Sequence, residues 1–194
     1  MAMELPKKAN LPRLAIAAIV GVLLCFSTHS MPASNHSEYE VKAAYLYNFG
    51  RFVEWPQKAP SESTGEFPIC VFGHDPFGPA LDSTISGERI DGQMVVARRI
   101  SRVEEAASCR VLFISSSENK QLKGILSTIG KLGVLTVSDS PDFLQQGGMV
   151  QFVLAEERVR FEINLTAARQ AGLNLSSELL KVAAEVRGNS RPGD

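Results

Sequence analysis

The sequence predicts an α/β layered sandwich, in which a mostly parallel sheet carries an antiparallel edge hairpin and has helices on both faces. Apolar runs typical of buried strands alternate with segments whose apolar residues recur at helical spacing. Two strand-like runs in the C-terminal part of the chain, separated by a short turn, predict the hairpin. About 164 residues follow residue 30, a length that fits one domain over residues 39–187.

The N-terminus predicts a secretory signal peptide over residues 1–30. A basic stretch precedes the apolar run 14–26, which at about 13 residues is shorter than the roughly 20 needed to span a bilayer. Polar residues follow, so we expect cleavage after Ser30 and a periplasmic mature chain. An uncleaved membrane anchor is the alternative. A lipoprotein is disfavoured, because Leu24 precedes Cys25 where a small residue is required.

The predicted mature chain has a nearly balanced charge, with 17 basic and 20 acidic side chains beyond residue 30. Binding to nucleic acid or to an anionic membrane would favour an excess of basic residues. The sequence therefore predicts neither kind of partner.

A polar leader, residues 31–38, precedes a first predicted helix that begins at residue 39 and is ended by Pro56. This helix has more aromatic side chains than one buried face accommodates, so we expect some of them in a dimer or partner contact. The alternative is that the helix lies in a groove of its own domain. The apolar positions at helical spacing are Val41, Tyr45, Phe49 and Phe52, and the candidate contact residues are Tyr45, Phe49, Phe52 and Trp55.

Strands and helices alternate after a predicted surface loop over residues 57–66. Asp75 before Pro76 predicts a helix N-cap with proline at the first helical position. Because ligands bind beyond the carboxyl ends of parallel strands, loops 73–75, 115–117 and 138–140 are expected to line a shared crevice. The strands are predicted at 67–72, 93–100, 109–115 and 134–138, and the helices at 77–86 and 119–130.

His74 is the single histidine of the predicted domain, which excludes a zinc site with two imidazoles. A general base acting on Ser115 or Ser138 is one hypothesis for His74, while a strand-to-helix turn capped by Asp75 explains the same residues. The sequence has neither a nucleophile elbow nor a phosphate-binding glycine loop. We therefore predict no catalytic residues, no metal and no cofactor.

The mature chain retains two cysteines, Cys70 and Cys109, each near the start of an apolar run. Export permits a disulfide between them. Such a bond would close a loop of about 40 residues and stabilise the fold by roughly 4 kcal/mol in the chain-entropy account. Two separate buried thiols are the alternative.

The hairpin is predicted over residues 149–154 and 158–164, and helices at 167–172 and 177–187 follow, with Val182 among the inward residues of the second. The tail from residue 188 is predicted to be disordered. Alternation in the second arm gives the hairpin a polar face, which is either solvated or a docking surface. The candidate partner or ligand residues are Arg158, Arg160, Glu162 and Asn164 on this face, with His74 and Asp75.

Several segments resemble the YfiR family of bacterial periplasmic proteins. They are YEVKAAYLYNFGRFVEWP, FPICVFGHDPFGPAL, CRVLFISSSE and GVLTVSDSPDF, together with the run over residues 147–186, in the same order over nearly all of the mature chain. The resemblance implies a non-enzymatic, dimeric regulator that binds and represses the periplasmic sensor part of an inner-membrane diguanylate cyclase, and that an outer-membrane lipoprotein sequesters. It also implies pairing of Cys70 with Cys109. A second cysteine pair of one relative has no counterpart in residues 144–152, so the resemblance does not extend to redox switching.

Three functions remain open from the sequence. The leading hypothesis is an inhibitory partner of a cyclic-di-GMP synthase, or an accessory protein of a sensor histidine kinase. The second is a periplasmic small-molecule binder that uses the crevice of the three loops. The third is an enzyme that depends on His74.

Overall fold

The apolar runs of the sequence form the strands of the computed structural model, which describes residues 35–55 and 65–188. The predicted signal peptide and most of the predicted loop 57–66 lie outside the described residues, as does the tail beyond Gly188. The strands are β1 (Val53–Glu54), β2 (Glu66–Phe72), β3 (Arg89–Ile90), β4 (Gln93–Ile100), β5 (Val111–Ile114), β6 (Leu135–Ser138), β7 (Val150–Ala155), β8 (Arg158–Asn164), β9 (Asn174–Leu175) and β10 (Glu185–Arg187). The helices are α1 (Asn35–Phe52), α2 (Pro79–Ile85), α3 (Leu122–Ile129), α4 (Leu165–Gln170) and α5 (Ser177–Val182), with 3-10 helices at Val103–Ser108 and Ser116–Glu118.

The main sheet has eight strands in the order β10-β8-β7-β6-β5-β2-β4-β3. Its centre, from β4 to β7, is parallel, while β7 and β8 form the antiparallel hairpin and β3 pairs with β4 in the antiparallel sense. The predicted fold class is confirmed. β1 and β9 form a separate two-stranded sheet.

Apolar side chains fill both faces of the main sheet. On one face, strand residues such as Ile69 and Phe113 pack with buried residues of α1, α2, α4 and α5. On the other face, Leu112 and Ile114 pack with α3 and the first 3-10 helix. Helices therefore cover both faces, as predicted.

The buried face of α1 differs from the predicted stripe. Ala43, Leu46 and Phe49 are fully buried, whereas Val41 is 42% and Phe52 is 37% exposed. The helix also lies close to the sheet at Gly50, where a Cβ atom would lie 2.7 Å from Ile90 Cδ1. The buried face therefore includes Phe49 of the predicted stripe but neither Val41 nor Phe52.

The start of α1 and the start of α2 also differ from the predictions. α1 begins at Asn35 and so includes the last four residues of the predicted leader. Asp75 does not cap α2, because its Oδ1 accepts from the amides of Phe77 and Gly78 in a turn that precedes the helix. The proline near the start of α2 is Pro79, and Gly78 is the N-cap.

The last predicted helix is shorter than expected. α5 ends at Val182, which is 59% exposed rather than buried. The amide of Ala184 then donates to Phe161 O at 2.8 Å, and β10 pairs in parallel with β8. Among the described residues, no helix combines the length and the apolar character needed to cross a membrane.

Candidate functional site

Three loops follow the carboxyl ends of β2, β5 and β6, and the structure joins them by hydrogen bonds. The amide of His74 donates to Ser117 Oγ at 3.0 Å. Ser138 is buried, and its hydroxyl donates to Ile114 O at 2.6 Å. Ser140 is also buried and donates to Asn119 Oδ1. The loops are neighbours as predicted, but their hydroxyl groups hold the loops to one another.

Asp75 holds the loop after β2 against the end of β4. Its Oδ2 accepts from Arg99 Nε at 2.9 Å, and the same guanidinium binds both carboxylate oxygens of Asp82. The hydrogen bond from Arg99 lowers the pKa of Asp82 below its ordinary value. The contacts of Asp75 therefore fix the backbone, and the structure gives it no reacting partner among the described residues.

A buried charged cluster lies where the N-terminal part of α1 crosses the carboxyl end of β6. Lys42 is only 3% exposed, and its Nζ lies 2.7 Å from Asp139 Oδ2 and 2.6 Å from Glu38 Oε1. Tyr39 donates its hydroxyl to the same Asp139 oxygen at 2.8 Å. Burial, followed by this hydrogen bond to a carboxylate, raises the pKa of Tyr39.

A cleft of about 380 Å³ opens over this cluster. Residues 38, 39 and 42 of α1 form one wall, and residues 151–154 of β7 form the other. Asp139 and Pro141 close the end of the cleft. The arrangement offers carboxylate oxygens beside an apolar wall, a combination suited to recognition of a ligand that is partly apolar and partly cationic.

A second depression, of about 640 Å³, lies between the end of β4 and the first 3-10 helix. Three of its four charged groups form ion pairs with neighbouring side chains: Arg98 with Glu66, Arg99 with Asp75 and Asp82, and Glu105 with Arg102. We therefore regard the cleft between α1 and β7 as the stronger candidate site.

The polar face of the hairpin separates into two parts. Glu162 pairs with Arg187 at 3.0 Å. Asn164 caps α4, because its Oδ1 accepts from the amide of Ala167 at 3.1 Å. Arg158 and Arg160 are exposed. The two arginines thus remain available for docking, while Glu162 and Asn164 have contacts that stabilise the fold.

The aromatic residues of the first helix pack largely within their own domain. Phe49 is fully buried, with ring centroids 5.0 Å from Phe161 and 5.9 Å from Phe152 and Tyr45. Trp55 packs edge-on against Phe67. Of the four candidate contact residues on and after this helix, only Phe52 is exposed.

Cys70 and Cys109 form a disulfide, with a Cα–Cα distance of 5.9 Å. Both residues are buried in the core on the α3 side of the sheet. The predicted pairing is confirmed, and the alternative of two separate thiols is wrong.

Lys42 is the site residue that sequence patterns did not predict. The available signal was a lysine next to Ala43 on a helix face that also holds Leu46 and Phe49, with Glu38 one turn earlier. A charge in such a position is seldom buried without a partner. Asp139, within a predicted crevice loop, is that partner.

Two solved structures are similar to parts of this chain at low sequence identity. A conserved domain protein from Vibrio cholerae O1 biovar El Tor has 12% identity and a TM-score of 0.46, with 62% of this chain and 54% of that chain covered. An ABC domain from Streptococcus pneumonia, determined in complex with L-Trp, has 10% identity and a TM-score of 0.50, with 74% and 60% covered. The chain thus spans little more than half the length of either protein. No curated protein sequence matches it.

The family comparison is more informative, because the family described as YfiR/HmsC-like matches residues 39–184. This range contains the disulfide, the hairpin and every member of the buried cluster except Glu38. YfiR-like proteins are periplasmic regulators. With a match over most of its length, this chain belongs to the YfiR/HmsC-like family.

Proposed function

We propose that the protein is a periplasmic repressor that binds the periplasmic sensor region of an inner-membrane diguanylate cyclase and thereby lowers cyclic-di-GMP synthesis. The family match over residues 39–184 is the observation that carries this proposal. A protein outside the inner membrane has no access to cytoplasmic nucleotide chemistry. Its effect on cyclic-di-GMP must therefore pass through a membrane-spanning partner, and the protein acts by binding rather than by catalysis.

The surfaces that support binding lie on α1 and on the hairpin. Val41 and Phe52 lie on one exposed side of α1. Arg158 and Arg160 project from the hairpin into solvent. We propose that the exposed side of α1 with Val41 and Phe52 forms the homodimer contact. The remaining surface binds the cyclase and, in competition with it, an outer-membrane lipoprotein.

Deletion of the gene tests the repressor role. Cells without the protein are expected to contain more cyclic-di-GMP and to form more biofilm, and a plasmid copy should restore both. Unchanged cyclic-di-GMP in cells that express the cyclase would contradict the proposal. Activity of a neighbouring sensor kinase, measured in the same strains, distinguishes the kinase accessory role, because only that role predicts altered kinase output with unaltered cyclic-di-GMP.

Direct binding is measured with the purified protein and the periplasmic part of the cyclase in a calorimeter. Saturable binding is expected. A Phe52→Glu variant, examined by light scattering, should shift the protein from dimer to monomer, whereas an exposed polar substitution such as Gln170→Glu should not.

A further inference from the structure

Strand β7 extends beyond the end of its neighbour in the sheet. β6 ends at Ser138, which pairs with Gln151, so that Val153, Leu154 and Ala155 have no ladder partner on the β6 side. On their other side these three residues pair with β8. No other hydrogen bond from their backbone to a described residue is found. The cleft beside α1 is thus bounded by an open strand edge, and open edges pair with extended chains.

The α1 face of this open edge is apolar. Leu154 lies on the same ribbon face as Phe152, because side chains alternate along a strand. Phe152 is buried beneath α1, whereas Leu154 is 62% exposed, the largest exposure among the large apolar residues of the described chain. An apolar side chain of a neighbouring strand would cover Leu154 and remove this surface from water.

The α1 wall of the cleft and its closed end are acidic. Glu38 and Asp139 together carry two negative charges against the single charge of Lys42, whose ammonium binds one oxygen of each. Among the side chains of residues 38–55 and 65–188, no partner is found for Asp139 Oδ1 or Glu38 Oε2. The turn after Leu154 adds the exposed Glu156 and Glu157, while Arg158 and Arg160 project from the other face of the hairpin. The negative charge favours a cationic occupant.

We propose that an extended segment of the membrane partner adds to this edge as a short strand in line with β6, with an apolar side chain on Leu154 and a lysine or arginine at Glu38 and Asp139. The identity of the partner rests on the proposed function, whereas the chemistry of the segment rests on the cleft. Main-chain bonds to Leu154, whose N–H and C=O face away from β8, supply affinity, and the alternation of apolar and basic side chains supplies specificity.

A labelled octapeptide, Val-Thr-Arg-Thr-Val-Thr-Arg-Thr, is the first probe, because it places valine and arginine on one face of a strand. Fluorescence anisotropy with the purified protein should show saturable binding. An analogue with glutamate in place of arginine should bind at least about tenfold more weakly. Two analogues, each methylated at one alternate set of backbone nitrogens, should differ, because only the set that faces β7 blocks the ladder while the other set leaves it intact.

Two surface variants of matched exposure locate the site. Leu154→Glu should weaken binding of the octapeptide by at least about tenfold, as loss of a central apolar contact does. Val182→Glu makes the same change at a residue that is 59% exposed on α5, and it should leave affinity within about twofold. Glu38→Gln should reduce the preference for arginine over glutamate. Equal melting temperatures of the variants exclude unfolding as the cause.

Absence of saturable binding to the octapeptide, undiminished binding of both methylated analogues, or unchanged affinity in Leu154→Glu would overturn the proposal. The repressor role is assessed separately. If Leu154→Glu represses cyclic-di-GMP as well as the unaltered protein does, the repressor role stands and this docking site is wrong. If deletion of the gene leaves cyclic-di-GMP unchanged while the octapeptide binds as expected, the docking site stands and the cyclase is not its target.

Discussion

Lys42 carries a positive charge in a position from which solvent is almost fully excluded. Removing one member of a buried ion pair leaves the other charge uncompensated, which is more costly than replacing the whole pair by neutral groups. We expect Lys42→Met to lower the free energy of unfolding by about 3 kcal/mol. Urea denaturation measures this change.

The double variant Lys42→Met with Asp139→Asn should recover part of that loss, because it removes the uncompensated carboxylate at the same time. Lys123→Met is the matched control, since Lys123 is exposed on α3 and its replacement should cost less than about 0.5 kcal/mol. Equal effects of Lys42→Met and Lys123→Met would show that the cluster does not stabilise the fold.

Arg99 links the end of β4 to α2 through Asp75 and Asp82. Arg99→Ala should lower the free energy of unfolding by about 1 kcal/mol at neutral pH, a small effect because the group is partly exposed. The pKa of Asp82 is lower in the folded state than in the unfolded chain, where it is about 3.9. The stability that this contact contributes is therefore fully present at pH values above the pKa of the unfolded chain. It is lost as the pH falls through the pKa of the folded state. The difference between the two proteins should therefore shrink below pH of about 4. A difference that grows on acidification would contradict the assigned pairing.

Local patterns predicted the residues that the chain uses for turns and for the disulfide, but they did not identify the buried cluster. Lys42 and Asp139 are 97 residues apart, and their contact depends on the position at which α1 crosses the sheet. The close approach of the helix to Ile90 at Gly50 is likewise a tertiary feature that sequence spacing alone does not reveal. Helical periodicity therefore predicted that α1 exists, and it misplaced the buried face.

Element boundaries show the same dependence on tertiary contacts. The segment 177–187 has helical spacing throughout, yet its last residues form β10, because the edge of β8 offers a ladder that the helix does not. Tertiary context overrides local propensity in such short segments. The parallel strands of the sheet centre were predicted well, because long apolar runs in a parallel sheet are buried on both faces.

Asn164 joins β8 to α4 and also holds the loop before β7. Its Oδ1 caps the helix, and its Nδ2 donates to Leu144 O at 3.2 Å. Asn164→Ala should cost about 1.5 kcal/mol of unfolding free energy, measured by urea denaturation. Asn164→Asp keeps the capping oxygen and loses the amide donor, so a smaller loss is expected. Asn174→Ala, at an exposed residue bonded to Glu54, is the control and should change stability by less than about 0.5 kcal/mol.

Across residues 35–55 and 65–188, the buried apolar side chains are divided between the two faces of the main sheet, and the disulfide lies in the core on the α3 side. It joins Cys70 of β2 to Cys109, which lies between the first 3-10 helix and β5, across a sequence separation of 39. In the chain-entropy account, a loop of this length stabilises the folded state by roughly 4 kcal/mol. That is a large part of the stability of a typical domain.

Reduction of this bond should therefore affect the molecule as a whole. We expect the melting temperature to fall by about 10 °C when the protein is unfolded and refolded in reductant before the scan. Because both cysteines are buried, the native protein should react with reductant much more slowly than the unfolded chain. A Cys70→Ala and Cys109→Ala double variant supplies the control, since its melting temperature should be low and indifferent to reductant. Equal melting of the oxidised protein and of protein shown by mass spectrometry to be reduced would exclude a stabilising role for the disulfide.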